Sequence, residues 1–246
     1  MKLEIGYIGF SEKIVYMLME SERFVLTGVV WEKTRYISDS LVRILQRNKV
    51  AIYMVGNKHQ AAEAIEKIAC KQFLMYQFSY ILPVETVQRY KVFNIHPGDL
   101  RTNRGANPLI WTLLLREENA YMSLYQVSEK IDIGLLVAEI CIPVDEADNS
   151  KTLPIKTEDV IPDLMEKLYI HLTKKTATTL IDGGIYRRRI QESDYTIDLN
   201  ADSLEIIQAK IQSQAAYRGA VLVIDNIKFF VTGAEDSKLN HEIEMK

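Results

Sequence analysis

Apolar positions along the first hundred residues recur at two periods, and the alternation of those periods predicts the fold. Short apolar runs of strand length fall at Lys2 to Phe10, Phe24 to Trp31, Ala51 to Val55, Phe73 to Phe78 and Val92 to His96. Between them lie stretches with helical spacing. Ser11 is placed to cap the first, whose apolar residues Ile14, Met17 and Leu18 share one face. Asp39 to Asn48, His59 to Lys71 and Glu85 to Tyr90 supply the others. Strands alternating with helices at this spacing predict βαβ units and a mostly parallel, Rossmann-like sheet flanked by helices, an α/β fold. Ligands of such sheets bind beyond the carboxyl ends of the strands, where Ser79 and His96 fall.

The second half reads differently. Leu109 to Arg116 is apolar enough for a buried helix, with Trp111 as a core residue. Tyr121 to Val127 and Gly134 to Ile142 predict an antiparallel pair of strands. Asp145 to Thr157, polar and containing Pro154, predicts a loop. Asp159 to Asp182 predicts one long helix with Pro162 in its first turn and a Gly183-Gly184 stop. Beyond Tyr186 come Arg187-Arg188-Arg189, read as a solvated face, then a helix over Asp202 to Gln214. A hairpin follows, Ala220 to Ile224 and Ile227 to Thr232 around the turn residues Asp225-Asn226. The expected organisation is a catalytic domain over 1–186 and a small helix-plus-hairpin appendage over 187–246. The latter is too short for an independent core and is expected to pack on the former. The hairpin is the expected contact of a homodimer.

Composition narrows the classes. The chain has 246 residues, 48% hydrophobic and 26% charged, ordinary for a globular protein, and a formal net charge of −3 that argues against a broad nucleic-acid face. The two cysteines, Cys70 and Cys141, sit in apolar company and are expected to be buried thiols, and no His/Cys cluster suggests a metal. The opening MKLEIGYIGF lacks the features of a signal peptide and no apolar run is long enough to span a bilayer, so a cytoplasmic protein without membrane contact is expected. Gly6-x-x-Gly9 lacks the third glycine of a dinucleotide fingerprint, and Glu32 is a weak ribose partner, which disfavours a nicotinamide cofactor.

Candidate chemistry concentrates in Phe93 to Pro108, FNIHPGDLRTNRGANP. Asn94 and His96 are two apart, so on an extended chain both side chains point the same way. An amide donor beside an imidazole at a strand end suits acyl transfer, and Asp132 is an available carboxylate. Each residue taken alone has a bland reading as a cap, turn or satisfied strand-end group.

Their joint order carries a resemblance. Asn94-Ile95-His96-Pro97, Arg104-Gly105, Pro108 and then Ile131-Asp132-x-Gly134 resemble the signature of the 10-formyltetrahydrofolate-dependent formyltransferases, best over roughly 70 to 140. The resemblance implies that Asn94, His96 and Asp132 are catalytic and that 10-formyltetrahydrofolate is the formyl donor, with no metal. It implies a pterin pocket on Phe78 to Pro83, with Tyr80 and Leu82 as contacts. Ser128 and Ile131, in the loop from Gln126 to Asp132, would close its other side. Relatives often have His-Pro-Ser-x-Leu-Pro where this chain has His96-Pro97-Gly98-Asp99-Leu100-Arg101.

The resemblance also orders the acceptors. Methionyl-tRNA calls for basic surface and a full-length C-terminal barrel, whereas this chain is acidic overall with a short appendage. A nucleotide-linked amino-dideoxy sugar fits better, UDP-linked first and dTDP-linked next, as in surface-polysaccharide or glycan biosynthesis. Arg104 and Gly105, then Arg101, are the expected acceptor contacts, with Arg104 suited to bind a diphosphate bidentately. Tyr217, in Tyr217-Arg218-Gly219, is a candidate for stacking on a nucleobase. The rivals are a formyltetrahydrofolate hydrolase using the same trio and a binding module without catalysis.

Overall fold

Val, Ile and aromatic runs in the first hundred residues become strands, and the amphipathic stretches between them become helices, as their periods require. The structure, a computed structural model, describes residues 2–129 and 133–233. In chain order the first elements are β1 (Leu3–Gly9), α1 (Glu12–Glu20), β2 (Phe24–Glu32), α2 (Asp39–Arg47), β3 (Ala51–Val55), α3 (Lys58–Lys67), β4 (Gln72–Tyr76), α4 (Val84–Arg89) and β5 (Lys91–His96). Next come β6 (Arg104–Gly105), α5 (Pro108–Leu114), β7 (Asn119–Val127), β8 (Gly134–Pro143), α6 (Thr152–Glu158), α7 (Ile161–Lys174) and β9 (Thr179–Ile181). The described chain ends with β10 (Tyr186–Arg187), a 3₁₀ turn (Glu192–Asp194), β11 (Thr196–Ile197), α8 (Leu204–Ser213), β12 (Ala220–Ile224) and β13 (Ile227–Val231).

An eight-stranded sheet runs in the order β3-β2-β1-β4-β5-β7-β8-β9. Its first five strands are parallel; β7 then joins β5 antiparallel, and β9 joins β8 antiparallel. The predicted Rossmann-like sheet with flanking helices is therefore present. Ser11 caps α1 through a bond from the Ile14 N–H, as expected. Gly9, at φ +148°, leaves β1 at a point where a Cβ would lie 1.9 Å from the Tyr76 carbonyl.

The described residues cluster into two compact units. One comprises 1–102, 121–140 and 160–185, and is centred on apolar residues such as Ile8, Val30, Phe73 and Val92. The other comprises 103–120, 141–159 and 186–246. It holds the sheet β11-β12-β13, the short parallel pair β6-β10, and a core of Ile197, Ile211 and Ala220. Asp225 and Asn226 turn the β12-β13 hairpin at φ 50° and 64°, the left-handed values its type of turn demands.

Three expectations need correction. The stretch predicted as a loop contains α6: Pro154 is its third residue, where a missing N–H costs nothing, and Leu153 and Thr157 are buried beneath it. The long helix predicted to Asp182 ends at Lys174. Lys175 turns left-handed at φ 51°, and the β-branched Thr176, Thr178 and Thr179 lead into β9, which pairs with β8. Cys70 is buried, and burial raises its thiol pKa, but Cys141 lies exposed on β8. No described helix is long and apolar enough to cross a membrane.

Candidate active site

The alternation of β5 sets the centre of the site. Val92, Phe93 and Ile95 are buried, Asn94 is half-buried, and His96 ends the strand at 5% exposure. Across the antiparallel ladder Asn94 faces Tyr125 and His96 faces Ser123. The Asn94 amide donates from Nδ2 to Tyr125 Oη at 3.1 Å, so one of its two hydrogens is held and the other is left to serve elsewhere. Tyr125 is 2% exposed, and that burial fixes the orientation it imposes.

The turn after His96 is braced from beneath. Ser123 Oγ lies 2.7 Å from the Gly98 carbonyl and 3.1 Å from Glu139 Oε2. Glu139 in turn accepts from Arg101 Nη1 at 3.0 and 3.1 Å, and Asp99 Oδ1 accepts from the same nitrogen at 2.9 Å and from the Arg101 N–H at 2.8 Å. The hydrogen bond to Glu139, with both nearby carboxylates, raises the Arg101 pKa. Arg101 is thus committed to two carboxylates within its own unit. Gly184, at φ +106°, brings its backbone so close to Arg101 that a Cβ would lie 2.3 Å from the Arg101 carbonyl.

The segment expected to line a pterin follows β4. Gln77 takes φ 54°, Phe78 and Tyr80 meet edge to face at 5.4 Å, and Leu82, 8% exposed, belongs to the hydrophobic core. Ser79 is tied down through its N–H, which donates to Glu32 Oε1. Glu32, at the end of β2 and 1% exposed, also lies 3.6 Å from Arg35 Nε. Ser128 closes the next loop, its N–H and Oγ–H both donating to the Ile133 carbonyl at 3.2 and 2.8 Å. Ile131 and Asp132 lie outside the described residues.

Arg104 and Gly105 belong to the other unit. They form β6, paired in parallel with Tyr186 and Arg187 of β10. A Cβ on Gly105, whose φ is +96°, would lie 2.3 Å from the Arg187 carbonyl. Asn103, 1% exposed, staples this loop to α5 by donating to the Pro108 carbonyl at 2.9 Å and to Thr112 Oγ1 at 3.2 Å. Trp111 is half-buried rather than core. It donates to the Arg188 carbonyl at 2.9 Å, with the guanidiniums of Arg187 and Arg188 each 5.6 Å from its ring centroid. Arg188 is also held by Asp194 through bonds of 2.7 and 2.6 Å. The arginine run is therefore partly an ordered surface. Tyr217 is 64% exposed in the loop before β12.

Sequence reasoning missed Tyr125, Ser123, Glu139 and the anchoring role of Glu32. A usable signal existed for two of them: Ser123 and Tyr125 are polar residues at alternate positions of a strand predicted to join a sheet, facing the same side as one another. The partners across the sheet, by contrast, depend on a register that only the folded chain fixes.

The comparisons bear on this geometry. A methionyl-tRNA formyltransferase of Prochlorococcus marinus (strain MIT 9215) is 25% identical over 214 residues, which cover 79% of this chain and 65% of that protein. The chain thus spans about two thirds of the length of the curated relatives it matches. The structure of a 4-N formyltransferase from Francisella tularensis superposes with a TM-score of 0.73 at 16% identity, covering 96% of this chain and 98% of that one. A sugar 3N-formyl transferase solved in the presence of dTDP and 5-N-formyl-THF superposes at 0.68 with 17% identity, covering 93% and 85%. The family model described as Formyl transferase matches residues 38–168, more than half of the sequence and the whole of the Asn94–His96 strand end. The chain belongs to the formyl transferase family.

Proposed function

We propose that the protein moves the formyl group of 10-formyltetrahydrofolate onto the amine of a nucleotide-linked amino-dideoxy sugar. A UDP-linked sugar is the first choice of acceptor and a dTDP-linked one the second. Family membership supports the reaction, and the observation that carries it is the strand end of β5, where Tyr125 aims the Asn94 amide beside a buried His96. The acceptor nitrogen attacks the formyl carbon, giving a tetrahedral intermediate with a negative oxygen. The bond from that carbon to N10 of the folate then breaks, N10 takes a proton, and the former amine loses one. The free Asn94 N–H and protonated His96 are the donors assigned to the oxygen. Asp132 is assigned to hold His96 charged and to accept the amine proton directly or through water.

The residues present suit a folate. Glu32 fixes the backbone at Ser79, in the segment that leaves β4 where Tyr76 pairs with Ile95 of β5, and that segment carries the Phe78–Tyr80 pair and the exposed Ile81. Tyr80, Leu82, Ser128 and Ile131 are assigned to its pterin. Arg104 and Gly105 are assigned to the acceptor, while Arg101, bound by Asp99 and Glu139, fits a brace better than a ligand contact. The sugar reading is supported by a solved sugar N-formyltransferase from Shewanella that matches this chain nearly end to end. The curated relatives by sequence are named for methionyl-tRNA, which makes that acceptor the second reading.

The test is a set of parallel incubations with 10-formyltetrahydrofolate and UDP- or dTDP-linked 4-amino-4,6-dideoxy sugars, with methionyl-tRNA as a third arm. Tetrahydrofolate release and one added formyl mass on a sugar are expected. Formyl-methionyl-tRNA with unchanged sugars replaces the acceptor, and folate turnover without any formylated product replaces transfer with hydrolysis.

A further inference from the structure

The unit built from 103–120, 141–159 and 186–246 carries its own cleft, of about 650 Å³. Among the described residues assigned to formyl transfer, Asn94, His96, Arg104 and Gly105 do not line it, whereas Tyr217, the candidate for stacking on a nucleobase, does. We infer that this cleft is an accessory binding site for a nucleoside diphosphate, free or as part of a nucleotide-linked sugar.

The volume lies inside the usual range for small-molecule sites. Three cationic side chains face it, Arg189, Arg218 and Lys228, against one carboxylate, Glu192. Lys228 Nζ is 2.7 Å from Glu192, so that pair neutralises itself. The two guanidiniums remain for an anion, and the charge they supply matches a diphosphate that each can meet bidentately.

The same cleft presents aromatic faces. Tyr217 is 64% and Phe230 44% exposed, and the Arg218 guanidinium sits 5.9 Å from the Phe230 centroid. Exposed rings next to guanidiniums are how proteins hold a base and its phosphates together. The wall is also pre-formed. Gly219, at φ +107°, lets the chain pass so near Val231 that a Cβ would lie 2.6 Å from its carbonyl, and that approach sets where Tyr217 and Arg218 project. Tyr217 N–H donates to the Gln214 carbonyl at 2.9 Å, and Asn107 Oδ1 accepts from the Ile190 N–H at 3.3 Å, both pairs among the lining residues. A wall fixed before binding loses little conformational freedom when the ligand arrives.

The inference does not depend on which amine is formylated, and its test needs no turnover. Calorimetric titration of the full chain with UDP, dTDP, uridine and inorganic pyrophosphate provides the probes. UDP or dTDP is expected to bind, with uridine and pyrophosphate each at least tenfold weaker, on the order expected when stacking or charge is lost. Arg218→Glu and Tyr217→Ala are each expected to weaken UDP by about tenfold or more, and Tyr217→Phe to retain it. These side chains are exposed, and an unchanged melting temperature checks the fold of each variant. Repeating the titration with a UDP-linked amino sugar distinguishes the source. Equal affinity assigns the cleft to the nucleotide alone, tighter binding assigns it to the sugar-bearing form, and both support the site. No nucleotide binding, or binding that the cleft variants leave unchanged, overturns the inference while leaving the formyl-transfer assay to judge the proposed function separately.

Discussion

At the scale of single residues, the site rests on a few polar groups whose freedom has been removed. Asn94 donates to Tyr125, His96 is buried at the strand end, and Glu32 holds the Ser79 backbone. If Asn94 and His96 stabilise the developing oxyanion, Asn94→Ala and His96→Asn each lower kcat by about 10²–10³-fold, with the melting temperature little changed. Steady-state kinetics on the folded variants checks this, and full activity in either removes that residue from the mechanism. Glu32 acts one step further back. Glu32→Ala removes a charge-assisted anchor and is expected to raise the KM for the folate about tenfold, with Glu32→Gln recovering part of the loss because its carbonyl still accepts from Ser79. A KM for the folate that stays at the parent value would show that Ser79 needs no anchor. These residues also mark what the sequence makes visible. Asn94 and His96 stand out because spacing alone puts them on one side of a strand. Glu32 does not, because a carboxylate at the end of β2 reads equally well as a ribose ligand until the chain brings Ser79 to it.

Elements were legible where one period ran long enough and illegible where context overruled it. All five parallel strands lie within a few residues of their predicted bounds, and so does the 220–232 hairpin, since apolar runs and turn residues specify them locally. The helix α6 was hidden by Pro154, which breaks a helix in its interior but is neutral in its first turn. The β6-β10 pair was invisible, because its two-residue strands, far apart in sequence, carry no period at all. Yet that pair makes the sharpest structural demand on the Arg104 loop. Gly105 has positive φ and no room for a Cβ, so Gly105→Ala is expected to destabilise the protein by about 1–3 kcal/mol and to disturb Arg104 beside it. Thermal denaturation measures the first effect; a variant as stable as the parent would mean that β10 yields at little cost.

At the scale of the whole molecule, the acidic surface is organised by local ion pairs. Arg188 holds the Asp194 carboxyl below its usual pKa, with the Gln191 N–H adding a further hydrogen bond. A carboxyl whose folded pKa is depressed binds fewer protons than it does in the unfolded chain, so it stabilises the fold above its ordinary pKa. That stability is lost as pH falls through the usual carboxylate range toward the depressed value. Melting temperature plotted against pH should therefore decline on the acid side, and Asp194→Asn should flatten part of that decline while lowering stability near neutrality. Parallel curves for the variant and the parent would remove Asp194 from the acid response.

The antiparallel seam between β5 and β7 sets a tolerance that neither strand has alone. Asn94 and His96 are met by Tyr125 and Ser123, two alternate teeth of the neighbouring strand, and strand teeth change sides with every residue. Deleting one residue from the first half of β7 would leave composition, charge and apolar content almost unaltered. It would nevertheless present the even-numbered neighbours Leu124 and Gln126 where a hydroxyl and a phenol now stand. Length, in this strand, is information: a library that varies its letters can retain the site, whereas one that varies its spacing by a single unit erases it.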